Sequence, residues 1–272
     1  MTRIRVGCAG FVGKLSGYFR QLDAFELSET GTRSRLPTLK KWGALAPPQA
    51  RFVCRLPTEL SVLGFEGEAA QAAYDRTVVS ARAVGATTLW LKTPADFRPT
   101  TNHRRALVSF FGGRAETDLR IAWHAQGLWD SQAEDRNAVA LEAGLIPVVD
   151  PLGLDRDDID EETLPQGDLF YWRLLGRAGG GTRFTVLDFE RLVELSSDRG
   201  EGFIIFGVSA MLGDARRFRK QLAIELGGEP SGSAVVDDGP DDGGPDAGGH
   251  DDGDPDNIDE PSGPDDGSPN GP

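Results

Sequence analysis

The side chains in this sequence that could do chemistry recur where short apolar runs end. Read in order, those ends are Cys8, Glu26, Arg55, Lys92, Trp123 with His124, Asp150, Arg173 with Arg177, and Ser209. Burying a charge without a partner is costly, so each marks either a strand leaving the core or a site. Glu26 and Asp150 are the candidate catalytic acid and base, with Arg55 or Lys92 beside them to bias their proton affinity. Arg173 and Arg177 offer planar donor forks that match a carboxylate or phosphate. The run Gly176-Arg-Ala-Gly-Gly-Gly181 adds backbone N–H groups for an anion. Trp123, His124 and Tyr171 complete the expected ligand-binding set with Arg55, Lys92, Arg173 and Arg177.

Other chemistries fail on residue types. There is no Gly-x-Ser-x-Gly elbow, and neither Cys8 nor Cys54 has a histidine readable as its partner. The histidines are His103, His124 and His250, too sparse for the His/carboxylate cluster of a catalytic metal. No metal and no cofactor is expected.

Elements must position these groups. Strand-like runs are read at Ile4–Cys8, Ala24–Leu27, Ala50–Leu56, Thr87–Lys92, Leu119–Trp123, Leu145–Asp150, Leu169–Leu175 and Gly202–Phe206. Pro147 weakens the sixth, because proline cannot donate to a ladder. Helical patterns lie between them, at Thr38–Leu45, Glu66–Val84, Thr101–Phe111, Ser131–Ala143, Thr185–Ser196 and Met211–Leu226. Ser28–Arg35 reads as a polar loop, and Asp155–Glu162 as an acidic loop or exposed turn. Strands alternating with helices imply parallel crossovers. Eight units in this length suit a TIM-type (β/α)8 barrel, whose reactive groups sit at the C-terminal ends of the strands. An open doubly wound sheet is the alternative.

Charge divides the 272 residues into two parts. Of 43 acidic residues, 14 lie in Gly227–Pro272, which has no Lys or Arg, so residues 1–226 carry 29 of each sign. The expected domains are a barrel over 1–226 and a disordered Gly/Pro/Asp-rich acidic tail over 227–272, too poor in apolar residues to offset its ordering entropy. A neutral body gives no electrostatic footprint for nucleic acid. The sequence shows no signal-peptide core and no membrane-length apolar run. A cytoplasmic protein with neither nucleic-acid nor membrane partners is expected, and nothing identifies a protein partner for the tail.

The pieces Val6-Gly-Cys-Ala-Gly-Phe11, Phe25-Glu26, Leu36-Pro37 through Trp42, Phe52-Val-Cys-Arg55, Lys92-Thr-Pro-Ala-Asp-Phe97, Trp123 with Gly127 and Trp129, Val149-Asp-Pro151 and Tyr171-Trp-Arg-Leu-Leu-Gly-Arg177 occur in a shared order. In that order the chain resembles the YecE-like family, or domain of unknown function 72, especially its shorter archaeal-type branch. The resemblance implies a TIM-type barrel over Ile4–Leu226 and no established reaction. It also exposes departures. Ser28 and Gly31-Thr32 stand where an Asn or Gln and a Phe-Tyr pair are usual, and His124 and Gln126 where a Glu and an Arg are. Leu175 replaces a histidine, and Gly207-Val208 replaces two asparagines. These losses fall on the expected functional rim. The function expected is therefore a degenerate, non-catalytic barrel that binds a small anionic or sugar-like ligand. The alternative is an enzyme that holds such a substrate with arginines and uses a carboxylate acid or base.

Overall fold

The computed structural model describes residues 3–10, 14–114, 118–153, 164–165, 167–176, 184–207 and 211–225. The acidic segment Asp155–Glu162, Arg177 with the glycines after it, Ser209 and residues 227–272 lie outside these. The elements, in chain order, are β1 (Arg3–Ala9), α1 (Leu15–Tyr18), β2 (Ala24–Leu27), α2 (Glu29–Thr32), α3 (Leu36–Leu45), β3 (Arg51–Arg55), α4 (Glu59–Val62), α5 (Gly67–Val84), β4 (Thr88–Lys92), α6 (Thr101–Phe111), β5 (Arg120–His124), α7 (Ala133–Ala143), β6 (Ile146–Val149), β7 (Leu169–Leu174), α8 (Val186–Ser197), β8 (Glu201–Phe206) and α9 (Met211–Glu225). The eight strands pair in sequence order and all in parallel, and β1 closes on β8. This is a TIM-type (β/α)8 barrel, so the open doubly wound sheet is excluded.

Local chemistry accounts for the element ends. The Thr185 side chain accepts from the Asp188 N–H, and the Asp188 carboxylate accepts from the Thr185 N–H, a reciprocal cap that starts α8. Thr100 caps α6 through the His103 N–H. Gly144 ends α7 at φ 68°, a left-handed position that an L side chain rarely adopts. Ser28–Arg35 is a correction: the Ser28 hydroxyl accepts from Gly31 N–H at 3.0 Å and opens the single turn α2, so half the expected loop is helical. Pro147 shortens β6, whose ladder has two register pairs on each side, against six between β7 and β8.

Strand parity sorts the core into two shells. Ala24, Val53, Trp90, Ala122, Val148, Tyr171, Phe203 and Ile205 pack together inside the barrel. The alternate residues, including Cys8, Phe25, Cys54, Leu91, Trp123 and Trp172, face the helices in a much larger cluster. Gly7 allows β1 to approach β2 closely, for a Cβ there would sit 2.0 Å from the Ala24 carbonyl oxygen. Among the described residues no helix is long and apolar enough to cross a membrane.

Candidate functional site at the C-terminal rim of the barrel

Inward parity carries the interior cluster up to the rim. Two residues beyond Ala24, Val53, Trp90, Ala122 and Tyr171 stand Glu26, Arg55, Lys92, His124 and Arg173, so five strands deliver polar side chains to one end of the barrel. Glu26 is 4% exposed. Its Oε2 accepts from the Tyr171 hydroxyl at 2.8 Å and, at 3.3 Å, from Arg173 Nε. The same Nε lies 3.3 Å from Oε1, and Arg173 Nη2 lies 3.2 Å from it. Both carboxylate oxygens are thus engaged by protein donors.

The rim is crowded with positive charge. The Arg173 and Arg55 guanidinium carbons lie 4.7 and 5.0 Å from the Trp90 ring centroid, a favourable placement for cations over an electron-rich face. Among the described residues neither Arg55 nor Lys92 has a carboxylate within ion-pair distance. Burial, and then Arg55 and Arg173, push the Lys92 ammonium below its ordinary range. His124, whose ring lies 5.9 Å from that of Trp90, is pushed down to about 3 by burial and by the charges of Arg173, Lys92, Arg136 and Arg55. It is a neutral imidazole at any physiological pH. Arg55 Nε, Trp90 Nε1 and His124 Nδ1 are buried and have no hydrogen-bond partner among the described residues. Thr32 Oγ1 and Trp172 Nε1, on the helix side of the barrel, are unpartnered among the described residues as well.

Other expected site residues sit differently. The Asp150 Oδ2 accepts from the Leu175 N–H at 2.7 Å and its Oδ1 from the Leu152 N–H at 3.0 Å. Burial raises its proton affinity, and the N–H groups of Leu175, Leu152 and Gly153 oppose the rise. Asp150 is thereby a tie between the chain ends leaving β6 and β7. Trp123 is completely buried on the outer side of β5, and its Nε1 donates to the Thr93 hydroxyl at 3.0 Å. That ring belongs to the helix-facing shell because strand residues alternate sides, whereas its neighbour His124 faces inward. Arg177 lies outside the described residues. Cys8 and Cys54 are both buried in the outer shell, and burial pushes each thiol up to about 12.

Two residues were missed from the sequence. Trp90, the floor on which both arginines lie, is found by stepping two residues back from Lys92 along the same face, instead of reading strand ends alone. Arg136 on α7 is buried and adds to the field at His124, and no sequence signal marked it. Among the described residues no cluster of three or more potential metal ligands exists. A cavity of about 920 Å³ between α2 and α5 shares no residue with this rim.

No family model and no curated protein matches the chain. Solved structures do match. A DUF72 family protein from Enterococcus faecalis superimposes with a TM-score of 0.62 at 18% identity, over 86% of this chain and 100% of that one. The fold is DUF72-like. A GH18 chitinase from Pseudoalteromonas aurantia matches with a TM-score of 0.54 at 11% identity, over 82% of this chain and 100% of the other. At these identities the likeness speaks for the fold alone.

Proposed function

We propose that the chain is a divergent YecE-like barrel of the archaeal-type branch whose C-terminal rim binds a small anionic or sugar-like ligand without turning it over, in a cytoplasmic setting. One observation carries this reading: among the described residues the rim holds Arg55, Lys92 and Arg173 against Glu26, which Arg173 and Tyr171 already occupy, and Asp150, which backbone N–H groups occupy. The surplus positive charge and the orphaned donors around Trp90 are supplied with a partner by a bound anion. Sugars join anions in the ligand class because one structural neighbour is a GH18 chitinase.

Calorimetric titration of the full chain with inorganic phosphate and with a hexose phosphate tests the proposal. Binding should weaken by about 10- to 100-fold in Arg55→Gln, the cost of one charge-assisted hydrogen bond. Equal affinity in wild type and variant, or no heat from either ligand, would overturn it.

The second reading, an enzyme with a carboxylate acid or base, is favoured by the raised proton affinity of Asp150. Against it stand the two N–H donors on the Asp150 oxygens and the full engagement of Glu26. Turnover of a hexose phosphate, lost in Glu26→Gln or Asp150→Asn, would establish the enzyme instead.

A further inference from the structure

The opposite end of the barrel holds a second concentration of positive charge. A cavity of about 260 Å³ opens there among Arg3, Arg5, Arg51 and Arg120, with Asp118 and Glu201 as the acids in its wall. Arg5 is committed to the fold: it is 4% exposed, ion-paired to Glu201 and placed over the Phe203 ring at 5.6 Å. Arg51 gives its Nη1 to the Pro48 and Ala50 carbonyls. Its proton affinity is lowered by burial and then by Arg5 and Arg3, the sign of cations crowded together. Arg3 and Arg120 are exposed, and among the described residues neither has a carboxylate within ion-pair distance. Both help Arg5 hold the Glu201 carboxyl below its ordinary range, so at the mouth of the cavity two exposed guanidinium groups share one acid that Arg5 already pairs.

The course of α9 decides what can reach them. Near its start, Asp214 accepts from the Phe184 N–H, just before α8 on the C-terminal side of the barrel. Further along, Arg219 pairs with Asp23 at 2.9 Å and donates to the Gln21 carbonyl, at the turn that enters β2 from the N-terminal side. The helix thus runs from the functional rim towards the arginine cavity, and Glu225 ends it on the cavity's side. The chain continues into Gly227–Pro272, with 14 acidic and no basic residues. The first acidic pair, Asp237 and Asp238, lies 12 residues past Glu225. Twelve residues span up to about 40 Å. The cavity is the nearer of the two cationic ends, because α9 has already carried the chain to that side.

We propose that the acidic segment 227–272 docks in cis on the arginine-lined cavity at the N-terminal end of its own barrel, with its aspartates on Arg3 and Arg120. The contact is electrostatic and made at the surface, so salt releases it. It neutralises the barrel floor and leaves the rim free, so the site proposed above operates independently of it.

The test uses the full chain with a nitroxide on Ala247→Cys, the native thiols Cys8 and Cys54 being buried. Amide signals of Arg3, Arg120 and Glu201 should broaden at low salt, and those of Arg55 and Lys92 should not. The broadening should be lost in 1 M salt, where the Debye length is about 3 Å, and in Arg3→Gln/Arg120→Gln. Both of these arginines are exposed, and an unchanged amide spectrum elsewhere verifies that the double variant folds. Broadening at the rim, at neither end, or unaffected by the two substitutions would overturn the proposal. Broadening that grows with protein concentration would overturn docking in cis in favour of a second copy.

Discussion

Arg173 sets its Nε 3.3 Å from each oxygen of Glu26, so one strand-end cation on β7 is aligned by a carboxylate on β2, three strands away across the closure of the barrel. The pair is shielded, with side-chain exposures of 16% and 4%. Its geometry fixes the guanidinium plane beside Trp90, where an incoming anion would meet it. Under the proposed function Glu26 acts by positioning Arg173.

Glu26→Gln tests that role through stability. Removing one member of a shielded pair strands the other, at a cost of about 3 kcal/mol. Urea unfolding at neutral pH should show a lower midpoint with an unchanged slope. Tyr171→Phe, which removes one donor and leaves the ion pair intact, should cost about 1 kcal/mol. A larger loss in Tyr171→Phe than in Glu26→Gln would show that the ion pair does not organise this rim.

Asp150→Asn should loosen the chain after β7. The amide keeps one acceptor oxygen where the carboxylate offered one each to Leu175 and Leu152. Hydrogen exchange at Leu175 and Leu152 should accelerate while the strand amides of β4 and β5 keep their protection. Uniform acceleration across the barrel would contradict a local tie.

His124 makes stability depend on pH. Its folded value is about 3 against an ordinary 6.5, so between these the unfolded chain binds a proton that the folded chain refuses. The contribution is complete above pH 6.5 and is lost as the pH falls towards 3, at up to about 1.4 kcal/mol per unit. His124→Asn removes this dependence. Unfolding free energies measured from pH 7 to 4 should fall more steeply in the wild type than in the variant. Parallel curves would mean that the imidazole is freely solvated.

The thiols should be inert. With both held near 12 by burial, Cys8 and Cys54 present almost no thiolate at pH 8. A thiol-reactive dye should label the folded chain many-fold more slowly than the urea-unfolded chain. Rapid labelling of either thiol under native conditions would contradict its place in the outer shell.

The barrel was legible because its signals are local. Apolar runs closed by glycine, proline or a charge mark the strands, Thr100 and Gly144 mark helix ends, and alternation of the two types implies parallel closure. The one weak strand was weak for a stated reason, since Pro147 leaves β6 with the shortest ladder. Ser28 was misjudged because a one-turn helix has no periodicity to read.

The sequence by itself determined which residue types arrive at the strand ends. Their facing was a tertiary decision, because period-two alternation separates neighbours such as Trp123 and His124, and only the closed sheet says which side is inside. Closure also chose the partners: it gave Glu26 to Arg173 and Tyr171, spent Asp150 on backbone N–H groups, laid Arg55 over Trp90, and left Arg55 and Lys92 without a carboxylate among the described residues. Residues some 145 positions apart meet at 2.8 Å because a barrel brings all its strand ends to one rim. No local pattern carries that distance, and the chemistry of the rim depends on it.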